Sequence, residues 1–344
     1  MQVAFSLFES RSIQRYALIA GAACLVFSGA ASAHAATSPE KAPTVASASN
    51  AERKFKSLYQ REAAFRSKEF PGRIRSDEED PGFMGDNSDA AEQRRLLVWK
   101  KFAAEADKIS PAALSTESRV NLQIFINQLR NQINATSLNA HLLTFNSDSQ
   151  FWASAANMGD NMRCATVAVC QRYLKQLGAI SRSFEEKIGL MRLGIARGMT
   201  LPRIVLNGRD ASIERHIVDQ AEKSVFFQAF AKLPESMPSA QKLELQNAAK
   251  EMIATKVIPA YRKLLDFIRT EYTPQARTSI AAYDLPNGQA YYRAQILEYT
   301  TLEASPEEIH TIGLSEVARI RSDMAKIMAD LKFQGDFPAF LRFL

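Results

Sequence analysis

The sequence predicts an all-α fold with few or no strands. Three observations carry that reading. Apolar residues recur with a 3.6-residue period in one segment after another, helix-opening cap signals stand just ahead of those stripes, and no run alternates apolar and polar residues long enough to make a convincing strand.

The first 35 residues read as an export signal, with Arg11 and Arg15 as its positive region and an uncharged apolar stretch over residues 16–27. Small residues follow, so that cleavage is expected after Ala33 or Ala35. A membrane anchor is the rival, but the charge-free run over residues 16–33 is only 18 long and mostly Ala, Gly or Ser. A lipid anchor would use Cys24, where Gly21 occupies a position that wants a bulky aliphatic residue. The expected product is an exported protein, periplasmic or secreted, with no membrane segment after cleavage. Residues 36–48, all Ala, Thr, Ser, Pro, Lys, Glu or Val, read as a disordered linker.

A helical domain over residues 49–344 follows. Ser49 and Glu52 read as a capping box ahead of Phe55, Leu58, Tyr59 and Phe65. Asp89 and Glu92 open a second helix through Leu96, Trp99 and Phe102. A third begins near Ser115 and carries Leu122, Phe125, Ile126, Leu129 and Ile133 on one face. Residues 135–164 lack sustained periodicity and read as a long loop laid over the core with Leu142, Leu143, Phe151 and Trp152. Helices resume after Thr166, with Gly178 and Gly198 marking two ends. A long helical run over residues 238–272 contains Pro259, whose ring predicts a kink. The strongest start signal is Ser305-Pro306-Glu307-Glu308, ahead of the stripe Ile309, Ile312, Val317, Ile320, Met324, Ile327 and Leu331. Asp336 reads as one more N-cap, followed by five large apolar residues before the sequence stops at Leu344. Residues 141–145 and 280–285 are the best candidates for short strands.

Charge narrows the function classes. Losing Glu9, Arg11 and Arg15 with the signal leaves 41 basic and 36 acidic residues, scattered and without a basic block, which argues against a nucleic-acid partner. Chemistry is sparse. The four histidines, His34, His141, His216 and His310, include no pair four residues apart, so no HExxH zinc pair exists. Glu307, Glu308 and His310 are better explained by the helix start than by a metal. No Gly-rich phosphate loop and no G-x-S-x-G elbow is present. No catalytic residue, metal ligand or cofactor is expected in this chain. Cys164 and Cys170 survive processing and are the candidate disulfide, in a compartment where such bonds persist. Tyr291 and Tyr292 either start a half-buried helix or line a cleft, since phenols can bind the carbonyls of a peptide-like ligand.

Three segments resemble the domain of unknown function 885 family: MRLGIARGMTLPRIVL at residues 191–206, VIPAYRKLLDFI at 257–268, and LPNGQAYYR at 285–293 continuing through Tyr299, Thr300 and Thr301 to SPEEIHTIGLSEVARI at 305–320. The likeness runs over about residues 50–344. It implies a multi-helix array similar to the N-terminal half of channel-type zinc peptidases, and makes Tyr291, Tyr292, Thr300 and Thr301 the candidate channel-lining residues. Members of that family carry an HEGxPGHH zinc motif further downstream, which no position here matches. The function implied is therefore the substrate-channel portion of a periplasmic metallopeptidase-like protein, truncated at Leu344 and inactive alone, with zinc expected only in full-length relatives. Its partners would be a peptide or a complementing C-terminal chain. The alternative is an exported helical binding or scaffold protein without catalysis.

Overall fold

The computed structural model describes residues 45–70, 85–146 and 148–344. The signal, with Ala33 and Ala35, and most of the linker lie outside the described residues. Residues 43–344 form one compact unit. Its helices are α1 (Val45–Glu69), α2 (Asp89–Ala106), α3 (Thr116–Ser137), α4 (Phe151–Asn161), α5 (Val167–Ala196), α6 (Arg209–Glu214), α7 (Gln228–Ala231), α8 (Ser239–Met252), α9 (Ile258–Phe267), α10 (Thr273–Gln275), α11 (Gly288–Thr300), α12 (Pro306–Asp330) and α13 (Phe337–Phe343). The fold is all-α. Among the described residues the only extended pairing is an isolated parallel bridge between Pro202 and Arg277. Neither expected short strand forms; 3-10 turns at Ala140–Leu142 and Ala282–Asp284 take their places.

Five helices start where a side chain accepts an orphan backbone N–H. Ser88, Ser115, Thr166, Ser305 and Asp336 cap α2, α3, α5, α12 and α13 in this way, and Ser305 with Glu308 completes a capping box. The first helix departs from expectation. It begins at Val45, inside the expected linker, and Ser49 lies within it. Glu52 instead reaches across to another helix, accepting from the Ser115 backbone N–H at 2.7 Å and from the Ser118 hydroxyl at 2.6 Å. These bonds, Ser118 first, hold its carboxyl below the usual range.

Two cores organise the unit. One unites α1, α2 and α3 through Phe55, Leu58, Trp99, Phe102, Leu122, Phe125 and Leu129. The larger one gathers α4 to α9 around Trp152, Tyr173, Phe184, Phe226, Phe230 and Tyr261. The segment 135–164 is not the structureless loop expected. α3 runs to Ser137, and α4 fills the middle, with Trp152 fully buried. The Trp152 indole N–H donates to the Ser212 hydroxyl at 3.0 Å, and the Tyr261 hydroxyl donates to the Trp152 carbonyl at 2.6 Å. α4 escaped sequence reading because Gln150 offers no side-chain cap and its inner face is Ala155, Ala156 and Gly159. Gly159 lets α4 approach Phe226, whose ring would stand 2.9 Å from an added Cβ.

Gly178 ends nothing. It lies inside the continuous α5, against Met252, while Gly198 at φ +70° does stop that helix. The run from α8 to α10 contains two π turns, Ile253–Val257 and Ile268–Tyr272, and each ends two residues before a proline, Pro259 and Pro274. A proline lacks the N–H of the ordinary helical bond, and a shift to i→i+5 pairing just upstream accommodates that loss. The break expected at Pro259 therefore takes the form of a π turn. α12 contrasts with all of these, since none of its 25 residues is buried.

Candidate functional site

A cleft of about 830 Å³ opens between the α1–α3 group and the α4–α5 pair. Its walls come from elements far apart in the chain. α1 supplies Glu62, Arg66 and Glu69; α2 supplies Glu92 and Trp99; α3 supplies Phe125, Gln128, Leu129, Asn131 and Gln132. Met158 and Met162 enter from α4 and its end, Gln176 and Lys187 from α5, and Glu298 from α11. The α3 contribution follows from its sequence. That helix carries seven Asn or Gln and only three charged residues, so the surface beside its apolar stripe is amide where a solvated helix would usually be charged.

A buried arginine builds one end of the cleft. Arg95, 2% exposed, donates to Glu69 at 2.9 Å, to Glu92 at 2.8 Å and to the Asp86 carbonyl at 2.5 Å, with its guanidinium 4.7 Å from the Phe70 ring centre. One planar cation thus ties the end of α1, the start of α2 and the loop between them. The loop is tied to α5 as well. Glu186 accepts from the Asn87 backbone N–H at 2.8 Å, and Arg182 donates to the Gly85 carbonyl at 2.8 Å.

The remaining charges are more lightly held. Burial pushes the Glu62 carboxyl above its ordinary range, opposed by the charge and the 3.0 Å hydrogen bond of Arg66. Burial likewise pushes the Lys187 ammonium below the usual lysine range, with Glu92 pulling the other way and Arg95 adding to the depression.

None of the four residues expected to line a channel lines this cleft. Tyr291 packs on a small cluster of Leu142, Leu190, Met199 and Leu285, and burial raises its phenol. Tyr292 lies at the surface beside Tyr283, with ring centres 5.7 Å apart. The Thr300 hydroxyl donates to the Ile296 carbonyl at 2.6 Å, and Thr301 ends α11 at φ +60°. The residue of α11 that reaches the cleft is Glu298, two turns beyond Tyr291 along the same stripe.

Cys164 and Cys170, the candidate disulfide pair, lie together as free, buried thiols within the larger core. They share a hydrogen bond, and burial in apolar surroundings pushes both thiols up. A thiol held protonated in this way is a poor nucleophile and slow to oxidise. The histidines stay apart. His141 pairs with Asp89 at 2.9 Å, His216 packs 5.1 Å from the Tyr261 ring, and His310 is exposed on α12. Among the described residues no group of three or more His, Cys, Asp or Glu is placed to hold a metal ion.

Fold and site together define an all-helical protein with a polar, amide-rich cleft. The chain belongs to the family described as bacterial protein of unknown function (DUF885), whose model matches residues 68–344. No curated protein matches it. Among solved structures it is similar to "the putative lipoprotein from Colwellia psychrerythraea", at TM-score 0.66 and 18% identity, over 85% of this chain and 52% of that one. The chain thus spans about half the length of that relative, and the likeness is one of fold.

Proposed function

We propose that this chain is the substrate-channel portion of a peptidase-like protein of the cell envelope, and that its cleft holds peptides without cleaving them by itself. The observation that supports this reading is the cleft. Its volume falls in the roughly 300–1,000 Å³ range of ligand sites. Its wall carries Gln128, Asn131, Gln132, Asn87 and Gln176. Each primary amide offers donors and an acceptor together, which is the pattern a peptide backbone presents. Hydrolysis would need a metal-bound water or an activated nucleophile. The described residues offer no metal-ligand cluster, and the two thiols are held protonated. An envelope location draws on the signal-like first 35 residues and on the lipoprotein description of the structural relative.

The test uses the mature chain and a pool of acetylated random tripeptides with free carboxyl ends. After ultrafiltration we expect a subset of the pool to be retained and recovered intact by mass spectrometry. A flow-through identical to the input would overturn the binding reading. Peptide fragments appearing on incubation would overturn the claim that the chain is inactive alone.

A further inference from the structure

Among the described residues Lys187 lacks a partner that its environment should demand. On the cleft wall Glu62 is held by Arg66, Glu69 and Glu92 by Arg95, and Asp86 by Arg94 at 3.4 Å. No described residue accepts a hydrogen bond or an ion pair from the Lys187 ammonium. Glu92 and Glu186, which act on it through space, are committed elsewhere, to Arg95 and to Arg182 with Asn87. Lys187 sits on α5 eleven residues after Gln176, three turns along the same stripe, and both residues face the cleft. An ammonium half withdrawn from water and left without an acceptor costs stability. A purely structural lysine would have been given a carboxylate or carbonyl, as Arg95 was.

We propose that Lys187 anchors a carboxylate of the bound peptide, while the amides of Gln128, Asn131 and Gln132 meet the adjoining backbone. This rests on the peptide reading of the cleft. A single negative charge suits the site better than a phosphate or sulfate dianion, because Glu62, Glu69 and Glu92 share the wall and repel added charge. The carboxylate can belong to the chain terminus or to an Asp or Glu side chain of the ligand. In either case it replaces the water that burial has taken from the ammonium, as a charge-assisted hydrogen bond.

The experiment compares two pools of acetylated random tripeptides, one with free carboxyl ends and one amidated, on the wild-type chain and on Lys187→Met and Lys187→Arg. Wild type should retain carboxylate-bearing peptides roughly ten- to a hundredfold better than their neutral counterparts, the range for a hydrogen bond to a charged group. Preference for the acid pool places the carboxylate at the terminus, and enrichment of Asp and Glu within the amidated pool places it on a side chain. Lys187→Met should lose the preference while holding neutral peptides as before, and Lys187→Arg should keep most of it. The ligand-free Lys187→Met protein should melt at a higher temperature than wild type, an outcome opposite to that of removing a structural ion pair. Equal retention of acidic and neutral peptides by wild type would overturn the anchor and leave the peptide cleft standing. Retention of neither pool would overturn both.

Discussion

At the residue scale, three charges in and behind the cleft wall show how context decides what burial costs. Arg95 is almost wholly removed from water yet holds two carboxylates and a carbonyl, so its buried charge is neutralised where it lies. Lys187 has no hydrogen-bond or ion-pair partner among the described residues. Glu62 lies between them, buried with one hydrogen bond from a half-exposed Arg66. Because burial raises the folded-state pKa of Glu62 above its unfolded value, the folded protein binds that proton more tightly. Its contribution is therefore fully present below the unfolded value near 4.5 and is lost as pH rises through the folded value. Glu62→Gln removes the titration. We expect the variant to melt about 2 °C higher than wild type at pH 7, with the gap closing as pH falls below 4. Melting curves across that range check it, and a variant destabilised at pH 7 would show that the Arg66 pair outweighs desolvation. These residues were not legible in the sequence. Glu62, Gln128 and Lys187 are separated by 66 and 59 positions and share no motif. The one available signal was the amide-rich face of α3.

At the element scale, cap chemistry was the most readable feature. Ser115, Thr166, Ser305 and Asp336 were each assigned from local sequence, and each accepts the backbone N–H expected of it. Local signals failed where tertiary packing decides. α4 has no cap and is held by Trp152 and Gly159 against partners far away in sequence. The prolines of the α8–α10 run are absorbed by π turns that no propensity scale anticipates. The α4–α5 connection carries the two cysteines, and their fate follows from where α5 places them. Cys170 is completely buried on the first turn of α5, and Cys164 is 4% exposed just before it. We expect both thiols to be silent to iodoacetamide in the native protein over an hour at pH 8, and both to be alkylated in guanidinium, a gain of two adducts by intact mass. No adduct after unfolding without reductant would instead reveal a disulfide and overturn the assignment of free thiols.

At the scale of the whole molecule, apolar surface is unevenly distributed. The α1–α3 and α4–α9 groups each close around a core, yet Ile312, Val317, Ile320, Ile327 and Leu331 remain about half exposed along α12. That stripe has the period of a core-facing helix without a core to face. Leu341, Phe343 and Leu344 are exposed as well, in and just after α13, where Phe340 is buried beside Phe333 and Phe343. Contiguous apolar patches of this kind drive association when nothing covers them. We expect the purified mature chain to bind a hydrophobic dye and to elute as a concentration-dependent mixture of monomer and larger species. The double variant Ile320→Glu, Ile327→Glu should restore a single monomer peak and cut dye fluorescence several-fold. Its melting temperature should stay within about 1 °C of wild type, because substitutions at exposed positions usually change stability by less than about 0.5 kcal/mol. A large loss of stability in that variant would mean that α12 already packs on this chain in solution. Unchanged association would move the sticky surface elsewhere, with the exposed tip of α13 as the next place to substitute.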